Sequence, residues 1–180
     1  PTQEVELRIV DADSRALGAG RVGEVVVRSP ATMRGYWRAP KETNKAIDAD
    51  GWVHTGDAGF LDDQGYLRLK GRQSDMYIRG GYNVYPEEVE HLLAGHPQVA
   101  RVAVIGVPHA TFGEVGWAFV VTCAAAAPPT LVELRAYVGA DMASFKRPDG
   151  MTLVADLPVT AMFKVDKQEL RRRWSESSAA

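Results

Sequence analysis

Residues 79–95 read RGGYNVYPEEVEHLLAG, and this stretch marks the point where the pattern of the chain changes. Pro86 suits the first turn of a helix, because a backbone N–H at that position has no partner inside the helix. The apolar residues that follow fall on one stripe at helical spacing: Val89, Leu92 and Leu93. Gly95 is typical of a residue that ends a helix. The stretch therefore predicts a glycine turn followed by a short amphipathic helix.

The residues before this stretch show the alternation of β-strands. Charged and apolar residues alternate from Glu4 to Ile9, which is typical of a strand with one wet face. Val25 to Val27 continue in the same manner. Apolar residues lie on both sides of the Asp62-Asp63-Gln64-Gly65 segment, whose composition is that of a turn, and together they predict a hairpin. Residues 1–71 are therefore interpreted as a small β subdomain.

Strand-like and helix-like patterns alternate in the following hundred residues or so. Val99 to Val107 and Trp117 to Thr122 have the composition of buried strands. Thr130 and Glu133 have the spacing of a capping box, which predicts the start of a helix. Residues 72–174 are therefore interpreted as an α+β domain, and α+β is the fold class predicted for the chain.

The end of the chain carries one more helix signal. Asp166 and Glu169 are spaced as the cap of a last short helix. The Arg171-Arg172-Arg173 run is the only basic cluster, and such a run more often solvates the end of a helix than binds phosphates. Residues 175–180 are predicted to be a disordered tail.

Composition excludes several classes of protein. With 180 residues, 46% of them hydrophobic and 24% charged, the chain is an ordinary globular protein. The net charge is −2 with both signs interspersed, which argues against nucleic acid as a partner, because nucleic-acid binders concentrate basic residues on one face. The most apolar stretch, Val115 to Ala127, is too short for a membrane span, which takes about 20 residues. No membrane span is therefore predicted.

Cysteine and histidine usage adds further expectations. Cys123 is the only cysteine, so no disulfide forms within the chain and a reducing compartment, the cytoplasm, is expected. His91 and His96 are the only histidines close enough in sequence to resemble a ligand pair, and no cysteine pair or acidic cluster accompanies them. No metal site is predicted. The chain begins with proline and shows no secretory signal, and it is interpreted as part of a longer protein.

Four segments have residues that could carry chemistry, although each has a simpler interpretation when taken alone. Asp57 follows a glycine and could accept hydrogen bonds from both hydroxyls of a vicinal diol, or be an ordinary turn aspartate. Arg72 could reach a sugar or a phosphate, or be a linker arginine. Gly80 and Gly81 would let a ligand approach the backbone, or form a plain flexible turn. Lys164 lies on a loop, where lysines are usually solvated surface charges.

Read in order, these segments resemble the motifs of the adenylate-forming superfamily, which contains acyl-CoA synthetases, nonribosomal-peptide adenylation domains and luciferases. Several motifs in the right order are far more specific than any one of them. The resemblance covers nearly the whole chain and rests on these segments: Gly23-Glu24-Val25, Gly35-Tyr36-Trp37, Thr55-Gly56-Asp57, Gly71 to Asp75, Gly80 to Glu90, Phe145 to Pro148 and the Lys164 loop. It implies the C-terminal portion of such an enzyme, with a small β subdomain and a mobile α+β domain.

The resemblance also implies an activity and roles for three residues. The whole enzyme would be an acid-CoA ligase that makes an acyl-adenylate from a carboxylic acid and ATP with Mg, and then an acyl-CoA thioester from CoA. Asp57 would bind the ribose hydroxyls of ATP, and Arg72 would add a second ribose contact. Lys164 would contact the substrate carboxylate and the phosphate oxygens during adenylation.

Rotation of the domain between the two half-reactions is implied as well. Ser74 would be the hinge residue, and the Gly80-Gly81 loop would face the pantetheine arm of CoA after rotation. Ser74 departs from the family, which more often has Asp or Lys there, and Phe163 stands before the lysine where the family usually has glycine.

The largest departure is that the Ser/Thr/Gly-rich phosphate loop and the main substrate pocket are absent from the sequence. An N-terminal domain of the same enzyme is therefore expected as the partner, and the fragment alone is expected to be inactive. Two alternatives remain. One is an adenylation domain that loads a carrier protein, although Tyr82 to Pro86 looks more like the CoA ligases. The other is a non-catalytic binding module of the same fold.

Overall fold

The computed structural model of the chain describes residues 4–123 and 127–178. Contacts between residues divide the chain into two units, Pro1–Ser74 and Asp75–Ala180, which we call the first and the second unit. Each unit contains a β-sheet and at least one helix. The α+β class predicted from the sequence is therefore confirmed.

The first unit is built on an antiparallel sheet of four strands in the order β1-β2-β3-β4. Its elements are β1 Glu6–Val10, β2 Gly23–Arg28, α1 Pro40–Ala46, β3 Val53–Leu61 and β4 Leu67–Arg72. The hairpin predicted around the Asp62 turn is confirmed, because β3 and β4 pair antiparallel on either side of it. The Asp62 carboxylate accepts hydrogen bonds from the N–H groups of Gln64 and Tyr66, at 3.1 and 2.8 Å, which closes the turn.

The core of the first unit centres on Trp52, which is buried with Val10 and Val26. The guanidinium groups of Arg8 and Arg28 lie 4.3 and 4.6 Å from its ring centroid. Both distances are within the range of cation–π contact, so two charged side chains complete the cover of an aromatic ring.

Helix α1 was not predicted from the sequence. It begins with Pro40 at its first turn, and none of its residues is buried. A helix with no buried face carries no apolar stripe, and the stripe is the signal by which short helices are recognised. The structure therefore adds a helix to a segment that was interpreted as mainly β.

The second unit is built on a sheet of five strands in which β6, β5, β8 and β7 follow one another and β9 pairs with β8. Its elements are β5 Tyr77–Arg79, β6 Tyr82–Val84, α2 Pro86–Leu93, β7 Val99–His109, β8 Gly113–Thr122, α3 Leu131–Tyr137, β9 Gly150–Leu153 and α4 Lys167–Ser178. The predicted helix after Pro86, the two buried strands and the capping box of Thr130 with Glu133 are confirmed. Among the strands of this sheet in the described residues, β8 and β9 alone pair in parallel.

Helices cover both faces of this sheet. Val104 belongs to a core cluster that includes Leu93 of α2 and Leu134 of α3. Its neighbour Ile105 belongs to a second cluster that includes Leu170 of α4. Because successive side chains of a strand point to opposite faces, α2 and α3 pack on one face of the sheet and α4 packs on the other.

Helix α4 differs from the prediction in its length. Asp166 caps it as expected, since its Oδ1 accepts a hydrogen bond from the Glu169 N–H at 3.0 Å. The helix then runs for 12 residues to Ser178, whereas the sequence predicts a short helix and a disordered tail from residue 175. Trp174 explains the difference, because its ring packs edge-on against Trp117 at 5.9 Å and holds the last turns on the sheet. Residues 179–180 of the predicted tail lie outside the described residues.

Two arginines of the basic run pair with glutamates of α4 itself. Arg172 lies 2.7 Å from Glu169 and also pairs with Glu176, and Arg173 lies 2.9 Å from Glu169. These pairs hold the pKa of Glu169 at about 2, chiefly through the hydrogen bonds from Arg172 and Arg173. In the two ranges that the structure describes, no helix is both long and apolar enough to cross a membrane.

Candidate functional site

Two of the predicted site residues meet on neighbouring strands of the first unit. Asp57 of β3 lies directly opposite Arg72 of β4. The Arg72 Nη1 donates a hydrogen bond to the Asp57 Oδ1 at 2.7 Å and another to the Thr55 carbonyl oxygen at 3.1 Å. The other Asp57 oxygen, Oδ2, accepts no hydrogen bond from residues 4–123 or 127–178. A carboxylate with a free oxygen therefore lies beside a half-exposed guanidinium.

A shift in the β3–β4 register creates this pairing. Between the turn and Gly59 the ladder is regular, with Gly59 opposite Leu69, and it then shifts so that Ala58 lies opposite Gly71. One extra residue of β4 is accommodated there, which is the arrangement of a β-bulge. Without it, alternation would place Arg72 on the other face of the sheet from Asp57.

A second irregularity, between β2 and β3, shapes the backbone around Asp57. Glu24 lies opposite Ala58 and Val26 lies opposite His54, so three residues of β3 face the single residue between them on β2. Gly56 is at the centre of these three and has φ of +71°, a conformation that favours glycine. The segment from Thr55 to Asp57 therefore bulges from the ladder.

A shallow depression lies beside the bulge on the surface of the first unit. It is lined by residues of β2, of β3, of α1 and the loop before it, and by the last residue of β4: Glu24, Tyr36, Ala39, Glu42, Lys45, Ala46, His54, Thr55, Gly56 and Arg72. A carboxylate accepts hydrogen bonds from hydroxyls and a guanidinium donates them. Arg72 lines this depression, whereas its partner Asp57 does not belong to the lining. The pair of Asp57 and Arg72 itself has the acceptor and the donor that can hold a vicinal diol.

The Gly80-Gly81 pair forms the turn of a tight hairpin in the second unit. Arg79 of β5 pairs with Tyr82 of β6, and the two glycines between them have φ of +55° and +87°. Two positive φ values in a two-residue loop are typical of a type I′ turn. The Gly80 N–H donates to the Phe112 carbonyl at 2.8 Å, and a Cβ added at Gly81 would meet open space. The backbone at Gly81 is therefore open to close approach.

Side chains on both sides anchor this turn. The Arg79 Nη2 lies 2.7 Å from the Asp149 Oδ1, and its guanidinium lies 4.7 Å from the ring centroid of Phe112. Tyr82 stacks on Phe145 with 4.6 Å between ring centroids. Tyr77, at the start of β5, is fully buried, and burial raises the pKa of its hydroxyl above the ordinary value. The turn is therefore held on a rigid base.

Lys164 lies on an exposed loop of the second unit. The loop is closed by hydrogen bonds from the Thr160 N–H to the Lys164 carbonyl at 2.7 Å and from the Phe163 N–H to the Thr160 carbonyl at 2.9 Å. The Lys164 side chain forms no hydrogen bond or ion pair with the described part of the chain. Phe163 has φ of +58° and is 90% exposed. The loop therefore presents a free ammonium beside a strained, solvated phenylalanine.

Ser74 lies in a 3₁₀ turn, Gln73–Asp75. In the second unit, Asp75 lies 3.7 Å from the Lys167 Nζ and 3.9 Å from the Arg171 Nη2 of α4. Lys167 is nearly buried, and its Nζ lies 2.8 Å from the Glu90 Oε1. The two groups form an ion pair, but their angles are not those of a hydrogen bond. Sequence reasoning missed this cluster, because its members come from three separate segments.

The histidines do not assemble a ligand set among residues 4–123 and 127–178. No group of three or more His, Cys, Asp or Glu side chains that could hold a metal ion is found there. His96 packs edge-on against Tyr137, with 4.8 Å between ring centroids. This histidine is therefore part of the packing around α3.

Residues 88–164 match the family model described as the AMP-binding enzyme C-terminal domain. The chain belongs to the adenylate-forming superfamily. It is 38% identical over 179 residues to the fatty acid acyl-carrier-protein ligase ScoC of Streptomyces coeruleorubidus. The aligned region covers 99% of this chain and 34% of the relative. It is 41% identical over 160 residues to the 2-succinylbenzoate–CoA ligase of Geobacillus kaustophilus. The aligned region covers 89% of this chain and 32% of that relative.

A solved structure of this superfamily resembles the chain along its whole length. The anthranilate CoA ligase AuaEII in complex with anthranoyl-AMP superimposes with a TM-score of 0.91 at 32% identity, covering 100% of this chain and 35% of that chain. The chain thus spans about a third of the length of the relatives that it matches. Membership of the superfamily, stated from the sequence as a resemblance, is confirmed.

Proposed function

We propose that this chain is the C-terminal part of an AMP-forming acid-CoA ligase. The pairing of Asp57 with Arg72 across β3 and β4 carries the proposal, because it presents an acceptor and a donor together, and Arg72 lines an open depression. The other support is membership of a superfamily in which CoA ligases are frequent among the similar proteins.

In the first half-reaction, a carboxylate oxygen of the acid attacks the α-phosphorus of ATP with Mg, and pyrophosphate leaves. Asp57 accepts hydrogen bonds from the ribose hydroxyls through the oxygen that is free in the structure, and Arg72 donates to the same sugar. Lys164 places its unpaired ammonium where two anionic reactants approach each other. An N-terminal domain of the same enzyme supplies the phosphate loop and the pocket for the acid.

In the second half-reaction, the thiol of CoA forms a bond to the acyl carbon, the bond from that carbon to the phosphate oxygen breaks, and AMP leaves. The Gly80-Gly81 turn faces the pantetheine arm, because a turn without side chains lets a ligand lie against the backbone. Ser74 is the hinge about which the domain of residues 72–174 rotates between the half-reactions. We further propose a cytoplasmic location, which a chain with a single cysteine suits.

The test uses the full-length enzyme with Asp57→Ala, and Glu6→Ala as the matched control. Glu6 is also a strand carboxylate of the first unit that pairs with an arginine, Arg28 at 2.7 Å, on another edge of the sheet. Asp57→Ala should raise the KM for ATP by about tenfold or more, the usual effect of losing a hydrogen bond to a charged group. Pyrophosphate exchange measures it. Equal KM values in Asp57→Ala and Glu6→Ala would remove Asp57 from the nucleotide site.

A second candidate is an adenylation enzyme that loads a carrier protein, which the similarity to the acyl-carrier-protein ligase of Streptomyces coeruleorubidus favours. Both enzymes would use the same Asp57, Arg72 and Lys164, so the acceptor must be tested directly. Thioester formation with CoA and with a phosphopantetheinylated carrier protein, at equal thiol concentration, separates the two. The presence of all three residues argues against a third candidate, a non-catalytic binding module.

A further inference from the structure

The bulge that presents Asp57 has lost backbone partners, and side chains take their place. Three residues of β3 face one residue of β2, so the regular ladder cannot supply every hydrogen bond there. The Glu24 Oε1 accepts a hydrogen bond from the Gly56 N–H at 3.1 Å. The Thr55 Oγ1 donates to the Val25 carbonyl at 2.7 Å and accepts from the Asp57 N–H at 3.0 Å. Each of these contacts fixes the backbone next to the Asp57 carboxylate.

The second oxygen of the same carboxylate extends the connection to a histidine. The Glu24 Oε2 lies 2.9 Å from the His54 Nδ1, and the His54 Nε2 lies 3.9 Å from the Asp48 Oδ2. Asp48 in turn accepts hydrogen bonds from the N–H groups of Asp50 and Trp52, at 2.9 and 2.8 Å. The imidazole thus lies between the turn that precedes β3 and the carboxylate that holds the bulge.

These groups are shielded enough for the contacts to hold their geometry. The exposed fraction of the Glu24 side chain is 16% and that of His54 is 24%, against 53% for Glu6 on the same sheet. A hydrogen bond to a charged group contributes more where water competes less. Glu24 therefore stabilises the bulge and is not an ordinary solvated surface residue.

We propose that Glu24 and His54 are positioning residues that hold the Gly56 bend and so aim the Asp57 carboxylate at its ligand. The ligand is the vicinal diol of a nucleoside triphosphate, and in this the inference rests on the proposed function. Glu24 and His54 act through the backbone of β3. Their loss changes nucleotide affinity and leaves the chemical step intact.

Glutamine at position 24 separates the hydrogen bonds from the charge. Its carbonyl oxygen can accept from the Gly56 N–H, and its amide N–H can donate to the His54 Nδ1 when the ring proton is on Nε2. That tautomer directs the ring N–H towards Asp48, so both contacts survive. Alanine at position 24 removes both. Glu24→Gln is therefore the conservative variant that should rescue Glu24→Ala.

The experiment measures KM for ATP and kcat in the full-length enzyme. Glu24→Ala is expected to raise KM by about tenfold and to leave kcat within about twofold, the effect of one lost hydrogen bond to a charged group. Glu24→Gln is expected to stay within about threefold of the wild type in KM. If Glu24→Ala does not fold, His54→Ala serves instead, with an expected rise of about threefold, since the contact to Gly56 remains. Glu6→Ala is the control and should match the wild type.

The outcomes distinguish this inference from the proposed function. A normal KM in Glu24→Ala or His54→Ala, together with a raised KM in Asp57→Ala, overturns the inference and leaves the proposed function in place. A normal KM in Asp57→Ala overturns both. A third outcome is that Glu24→Ala and Glu24→Gln both lower kcat and raise KM to the same extent, with a lower melting temperature in both. That result would show that Glu24 only stabilises the fold.

Discussion

Replacing Phe163 with glycine should stabilise the second unit, although the change removes a large apolar side chain. Phe163 has φ of +58°, in the left-handed region, and its side chain is 90% exposed. That conformation costs a non-glycine residue roughly 1–2 kcal/mol. Glycine recovers this strain but loses about 0.4–1 kcal/mol to the greater entropy of its unfolded chain. The difference is a gain of about 1 kcal/mol, because so exposed a ring buries little surface.

Thermal unfolding of the chain followed by circular dichroism measures the effect. For a domain of about 100 residues, a gain of this size raises the melting temperature by roughly 4 °C. Phe163→Ala is the matched control, since it removes the ring and keeps a Cβ in the strained conformation. The alanine variant should melt within about 2 °C of the wild type. If the glycine variant melts no higher than the alanine variant, the backbone at residue 163 stores no strain and the reasoning fails.

Three further predictions concern the half-reactions. The isolated chain should show no acid-dependent exchange of pyrophosphate into ATP, because the phosphate loop is absent, and exchange above a blank would contradict this. Ser74→Pro in the full-length enzyme should preserve adenylation and reduce thioester formation, because proline fixes φ near −65° at the hinge; equal loss of both would show that Ser74 is not the hinge. Lys164→Ala should slow adenylation by roughly 10²- to 10³-fold and leave thioester formation from supplied acyl-adenylate nearly normal; an adenylation rate close to the wild type would make Lys164 an ordinary surface residue.

Elements with a local signal were predictable from the sequence. The helix after Pro86 and the hairpin around Asp62 were found because proline, the apolar stripe and the turn residues each act within a few positions. The helix at Pro40 was missed because none of its residues is buried. The last helix was predicted too short, since the contact of Trp174 with Trp117 joins residues far apart in sequence.

The candidate site was predictable only as a set of residue types. Motif order pointed to Asp57 and Arg72, but the pattern of alternation does not place them on one face of the sheet. The role of Glu24 at the bulge could not be predicted either, because it depends on an irregular ladder between β2 and β3. The signal that could have found it is a glutamate directly before three valines in a strand, where a charged side chain needs a partner.

The extra residue in β4 reverses the alternation of side chains along the strand. On the turn side of the bulge, odd-numbered residues of β4 share the face of Asp57, and beyond it the even-numbered Arg72 does so. If Lys70 were removed, the ladder would become regular and the arginine would still lie opposite Asp57. If one residue were then inserted without forming a bulge, the arginine side chain would point to the other face of the sheet. A copy of this hairpin in another protein must therefore keep the bulge together with its extra residue or lose both, because losing only one of them separates Asp57 from the arginine.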